Sequence, residues 1–176
     1  MPPKPAGYEI LALDPDHVAA AEFNMLFVVW QRRTLQPAVR AVITQLKRLA
    51  TKHPGGIGLM QVLEETSVVP DPETRELFPE VLGSGNIQHF SITYVGTGFR
   101  AAAIRATLTA MFWVARPSFE YSTQTSVLEA GHWHAERQRR LGRKETGRDI
   151  EAVMTALRLL HRERYPEVAT RGPAPL

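Results

Sequence analysis

The chain has 176 residues, 44% of them hydrophobic and 22% charged, the profile of one globular domain of ordinary size and not of a disordered segment. It contains no cysteine, which excludes a disulfide scaffold, a thiol nucleophile, an iron–sulfur cluster and cysteine-based zinc sites. The net charge of +3 is uneven: residues 1–130 carry 11 Lys/Arg against 12 Asp/Glu, and residues 131–176 carry 10 against 6. No apolar run approaches the roughly 18 residues of a membrane span. Residues 1–7 are Pro-rich and lack the apolar centre of a signal peptide, so the expectation is a soluble, cytoplasmic protein.

In chain order, residues 1–7 read as a flexible leader with polyproline bias. Residues 8–13 read as a short strand, closed by the turn cluster Asp14-Pro15-Asp16. Residues 23–30 are aromatic and β-branched and predict a buried strand, which residues 17–22 either extend or precede as a separate strand. A helix is predicted over 36–52: Pro37 suits its first turn, and Val39, Val42, Ile43, Leu46 and Leu49 recur along one face. Pro54-Gly55-Gly56 ends it, and residues 57–63 form the next strand, running into Glu64-Glu65-Thr66-Ser67. A loop with Pro70 and Pro72 leads to a short helix over 72–82, and residues 89–95 are another buried strand closed by Gly96-Thr97-Gly98. The helix predicted over 99–116 is the most apolar, with Ala101, Ile104, Leu108, Met111 and Phe112 in a broad stripe ended by Pro117. A brief strand at 119–121 and a helix over 127–141, capped by Thr125 or Ser126, follow. Gly142 opens a linker to a last amphipathic helix over 145–163, marked by Ile150, Val153, Met154, Leu157 and Leu160, and residues 166–176 read as a disordered tail.

From residue 23 onward strands alternate with helices, which implies an α/β fold with a mostly parallel sheet and right-handed crossovers, the leading strand pairing at an edge. The expected organisation is a leader at 1–7, an α/β domain at 8–141, a basic helical extension at 142–165 and a tail at 166–176.

Four local features resemble the STAS domains (the sulfate-transporter and anti-sigma-antagonist group), in particular their SpoIIAA-like branch. The strand over 25–30 runs into a helix near Gln36. The Gly-bounded strand over 57–63 leads to an acidic loop and a short helix. Phe90-Ser-Ile-Thr-Tyr-Val-Gly96 precedes a long aromatic-bearing helix. Phe119-Glu-Tyr121 is followed by Ser/Thr and by Val127-Leu-Glu-Ala130-Gly-His-Trp133. The resemblance covers about residues 8–141. It implies a small βαβ sandwich acting in signal transduction as a regulatory or scaffold module through protein–protein binding, without catalysis and without a cofactor. It also implies a phosphoacceptor after the central strand, where Thr66 and Ser67 stand. There the Ser/Thr-Gly pair that would open the following helix is replaced by Val68-Val69-Pro70-Asp71, and a phosphate on Ser67 would sit beside two carboxylates. An ordinary strand-to-helix loop accounts for the same residues.

The expected partner surface is the loop bearing Glu64, Glu65, Ser67 and Asp71 together with the stripe Ile150, Val153, Met154 and Leu157. That stripe must be buried either against its own sheet, in a homodimer, or in the groove of another protein. A reading from a different class is a nucleotide-binding protein or small enzyme. Gly96-Thr-Gly98-Phe-Arg-Ala101 has the form of a dinucleotide fingerprint between strand and helix, and Glu120 could take ribose hydroxyls. His132-Trp133-His134 has the look of a metal pair, but on a helix the two rings diverge by about 200°, so two solvated histidines and no metal site are expected. Arg137, Arg139, Arg140, Arg143, Lys144 and Arg148 could touch phosphates, but they are interrupted by Glu136, Glu145, Asp149 and Glu151, which reads as a solvated helix face and not as a nucleic-acid or anionic-membrane surface.

Overall fold

Short turns force neighbouring strands antiparallel and helical crossovers force them parallel, and the chain uses the two in succession. The computed structural model describes residues 7–169, so residues 1–6 of the expected leader and 170–176 of the expected tail lie outside the described residues. The elements are β1 (Glu9–Leu13), β2 (His17–Glu22), β3 (Met25–Trp30), α1 (Gln36–Lys52), β4 (Ile57–Glu64), α2 (Pro72–Arg75), α3 (Phe78–Gly83), β5 (Ile87–Val95), α4 (Gly98–Ala115), β6 (Glu120–Gln124), α5 (Val127–Arg140), α6 (Gly147–Arg164) and α7 (Pro166–Ala169). The tail expected from residue 166 thus begins as a short helix.

One mixed sheet holds all six strands in chain order, β1-β2-β3-β4-β5-β6. β1, β2 and β3 pair antiparallel, and β3 through β6 pair parallel. The two strands suggested around residue 22 are separate: Glu22 faces Met25 across a tight turn in which Phe23 has φ of 58°, a value uncommon for an aromatic residue. The single helix expected over 72–82 is two short ones. Pro79, in the first turn of α3, has no N–H to give the preceding turn and its ring crowds the carbonyl four residues back.

The crossover helices α1, α3 and α4 cover one face of the sheet, on Leu26, Val28, Trp30, Leu59, Leu63, Phe90, Ile92 and Tyr94. The other face presents Val18, Ala20, Met25, Phe27, Val29, Met60 and Val62 to α5 and α6. Every residue of β3 and β4 is buried, as a strand covered on both sides requires. This corrects the expected division at residue 142. The segment 142–165 is no appendage, because α6 is one of the two helices that close the second face. Ile150, Val153, Met154 and Leu157 are fully buried there.

Three features seat α6. Its N-terminus carries a capping box in which the Thr146 hydroxyl accepts from the Asp149 N–H and the Asp149 carboxylate accepts from the Thr146 N–H. Arg158 donates through Nε and Nη2 to both oxygens of the buried Glu64 carboxylate at the end of β4, and Arg162 stands 3.5 Å from it. The His161 ring nitrogen Nε2 bonds the Asp14 carbonyl at 2.8 Å, tying the far end of α6 to the β1–β2 turn.

The crossing of α5 and α6 is close because glycine stands on both sides of it. A Cβ on Gly131 would lie 2.5 Å from the Gly147 carbonyl oxygen, a backbone atom that cannot swing aside. Gly131→Ala is therefore expected to destabilise the fold by about 1–3 kcal/mol. Gly83→Ala, whose Cβ meets nothing within 4 Å, serves as the control. Urea denaturation of the two variants checks this, and equal midpoints would show that the helix pair is not seated as described.

Candidate functional site

Between the crossover helices, over the C-terminal halves of β3 and β4, the packing opens into a cleft. Its walls come from Val39 and Val42 of α1, Phe78 and Val81 of α3, and Ile104, Leu108 and Met111 of α4. Trp30, Gln61, Leu63 and Ile92 form the floor, and Thr34, Val69, Pro70 and Thr107 also line the cleft. The enclosed space is about 90 Å³, less than the roughly 150 Å³ of a cavity that takes benzene. The open mouth adds room for a group that enters from outside.

The floor is polar at one place, and that polarity is internally satisfied: the Trp30 indole N–H donates to Gln61 Oε1 at 3.0 Å. Thr74, in α2, is buried and lines the cleft, and its N–H and side chain both bond the Asp71 carboxylate. Arg75 lines the cleft beside it. The rest of the lining is largely apolar, so the cleft favours an apolar group.

The opposite face of β5 carries a polar chain inside the sheet–α5 interface. His89 Nδ1 lies 2.6 Å from His134 Nδ1, and His134 Nε2 lies 2.7 Å from Ser91 Oγ. The short contact between two Nδ1 atoms needs one ring to donate and the other to accept, which two neutral imidazoles satisfy. Gly58 makes the room on the neighbouring strand, since a Cβ there would collide with the His89 ring. Trp133 meets His89 edge-on, and the Arg137 guanidinium lies 3.8 Å from the centre of the Trp133 ring. Ser, His and a third group in series have the form of a nucleophilic triad. Here all three residues are buried, so the Ser91 hydroxyl does not meet a substrate. This also corrects the expectation for the His132-Trp133-His134 stretch. His132 is exposed, but His134 is held in the interior, because on a helix residue 134 falls on the same side as Val127, Ala130 and Gln138.

The residues singled out by sequence are scattered. Glu64 is buried and paired with Arg158, while Glu65 is exposed. Thr66 donates its hydroxyl to the Gln31 carbonyl at 2.5 Å, and Ser67 is buried. The Val68 N–H adds a bond to the Arg32 carbonyl, so this loop is pinned against the β3–α1 connection and presents neither hydroxyl outward. Asp71 caps α2 by accepting from the Thr74 N–H, which holds its carboxyl below the usual range. Of the expected partner surface, Glu65 and Asp71 are open to solvent, and Glu64, Ser67, Ile150, Val153, Met154 and Leu157 are used inside the molecule.

The fingerprint reading fails on register. Gly96 follows the C-terminal end of β5, whereas Glu120 pairs with His89 near the other end of that strand. Seven residues of strand separate them by about 23 Å. Glu120 is bound instead by Arg137 at 2.7 Å and Arg140 at 2.5 Å. Gly96 and Gly98 form the turn into α4, with the Tyr94 ring lying where a Cβ on Gly96 would be. No group of three or more His, Asp or Glu able to hold a metal ion occurs among the described residues.

The cleft is not legible in the sequence, where its walls belong to separate helix stripes and strand cores. Comparison with known proteins finds no matching family model, no matching curated protein and no matching solved structure.

The buried histidines make stability depend on pH. Burial, with the Arg137 guanidinium adding to it, holds His89 at about 4 instead of 6.5. Burial, then the neighbouring His89, holds His134 well below its ordinary value. Both depressed values mean that the unfolded chain binds more protons below about pH 6.5. Stability is thus fully present above that pH and is lost as pH falls toward the folded values. Burial shifts His161 and His53 in the same direction. The urea midpoint is expected to be lower at about pH 5 than at about pH 7.5. His134→Gln should shrink that difference, and an undiminished difference would remove the histidine chain from the account.

Proposed function

We propose that the chain is a non-catalytic binding module of the STAS kind, regulatory or scaffolding, which receives an apolar side chain of a partner protein in the cleft between α1, α3 and α4. The observation that carries this reading is the cleft itself, whose walls are apolar apart from Thr34, Thr74, Arg75 and Thr107. An anchor side chain seated in a desolvated pocket is how many protein interfaces concentrate their affinity. The exposed Glu65 and Asp71 flank the loop whose Val69 and Pro70 line the cleft, and they supply a polar rim.

Two observations favour binding over chemistry. The one nucleophile–base chain identified, Ser91 with His134, is sealed inside the sheet–helix interface. The Gly96 turn and Glu120 stand at opposite ends of β5, so they do not form the two halves of a nucleotide site.

Benzene, a stand-in for the apolar anchor, is the direct probe. At about ten times its dissociation constant it should stabilise the full chain by about 1.4 kcal/mol, a rise of roughly 3–6 °C in Tm for a domain of this size. Thr107→Met places a longer side chain at a residue lining the cleft and should abolish the rise while leaving the unliganded Tm nearly unchanged. No rise in the unaltered protein, or an equal rise in the variant, would contradict the reading.

A further inference from the structure

α4 is apolar on both sides. Its inner side buries Ala101, Ile104, Leu108 and Phe112. Its outer side presents Phe99, Ala103, Ala106, Ala110, Trp113 and Val114 to solvent. Phe99 is 89% exposed, Trp113 67% and Val114 75%, the three most exposed large hydrophobic residues described. Phe99 and Trp113 stand near the two ends of the helix, about 21 Å apart along its axis. The alanines between them leave a shallow, smooth strip.

Charge distinguishes this strip from the other long helices. From Glu80 to Glu120 the sequence contains no intervening Asp or Glu, while it contains Arg100, Arg105 and Arg116. The helices α1, α5 and α6 instead expose charged side chains among their polar residues, and α5 and α6 mix both signs. The Arg116 guanidinium stands 5.8 Å from the centre of the Trp113 ring, so a cation accompanies the aromatic group at the C-terminal end.

We propose that the outer face of α4 docks on a lipid bilayer carrying anionic headgroups. Apolar side chains between two terminal aromatics enter the boundary of the acyl region, the rings sit at headgroup level, and Arg116, beside Trp113, meets a lipid phosphate. No helix among the described residues is long and apolar enough to cross a membrane, so α4 lies along the surface. A second copy fits less well, since it would set the same carboxylate-free, arginine-bearing segment against itself. The inference is independent of the cleft, which lies beneath the helix, and it holds whether or not the cleft is filled.

The test is flotation of the full chain with vesicles of phosphatidylcholine containing about one-quarter phosphatidylglycerol, against vesicles of phosphatidylcholine alone. The expected result is binding to the anionic vesicles, weaker binding to the neutral ones, and a blue shift of tryptophan emission. F99Q/W113Q, in which both changes fall on exposed positions, should keep the circular dichroism and Tm and lose at least about tenfold in partitioning. Failure of the unaltered protein to float with anionic vesicles would overturn the proposal, as would equal partitioning of the variant. A dimer in sedimentation velocity that the variant converts to monomer would assign the face to a second copy instead, and would also overturn it.

Discussion

Four parallel strands laid down in chain order leave little choice about where their connections go. Each crossover is right-handed, and when successive strands are added on the same side every crossover helix falls on the same face of the sheet. The crossover helices of this chain accordingly share one face, on β3, β4 and β5. The second face, with Met25, Phe27, Val29, Met60 and Val62, has to be covered by chain that comes after the last strand. The placement of α5 and α6 answers that requirement. The glycine crossing at Gly131 and Gly147 and the burial of Glu64 under Arg158 and Arg162 answer it as well.

The same constraint separates the two faces in character. One is closed by a helix pair that contributes fully buried side chains, a capping box and a buried ion pair. On the other, helices reach the sheet one at a time from different loops. The short α2 and α3, broken at Pro79, do not fill the space between α1 and α4. The cleft is what remains there. α4, which forms one wall, is apolar outward as well as inward, so this layer offers apolar surface at two depths.

The sequence was most legible where periodicity is strong and burial one-sided. The five-residue stripe of α1, the buried strand expected over 57–63 and the amphipathic pattern of α6 all lie within a residue or two of where the structure has them. What a single chain pattern does not carry is which element covers which. Ile150, Val153, Met154 and Leu157 announce a face to be buried, and the spacing is the same for a sheet, a second copy or a partner. His134 looks solvated beside His132 and Trp133 until α5 is laid on β5 and meets Gly58, Ser91 and His89. The Gly96 turn and Glu120 look like one site because they are near in sequence, yet a parallel strand sends them to opposite ends. The cleft was out of reach for the same reason, since seventeen residues from helices, strands and loops have to be placed before a gap among them exists.

Methyl-resolved NMR of the full chain titrated with benzene separates the two faces. The account predicts shifts for Val39, Val42, Val81, Ile92, Ile104 and Leu108, all lining the cleft. None is expected for Val18, Val62, Ile150, Val153 and Leu157, which pack between the sheet and the α5–α6 pair. Shifts confined to the second set, or spread evenly over both, would contradict it.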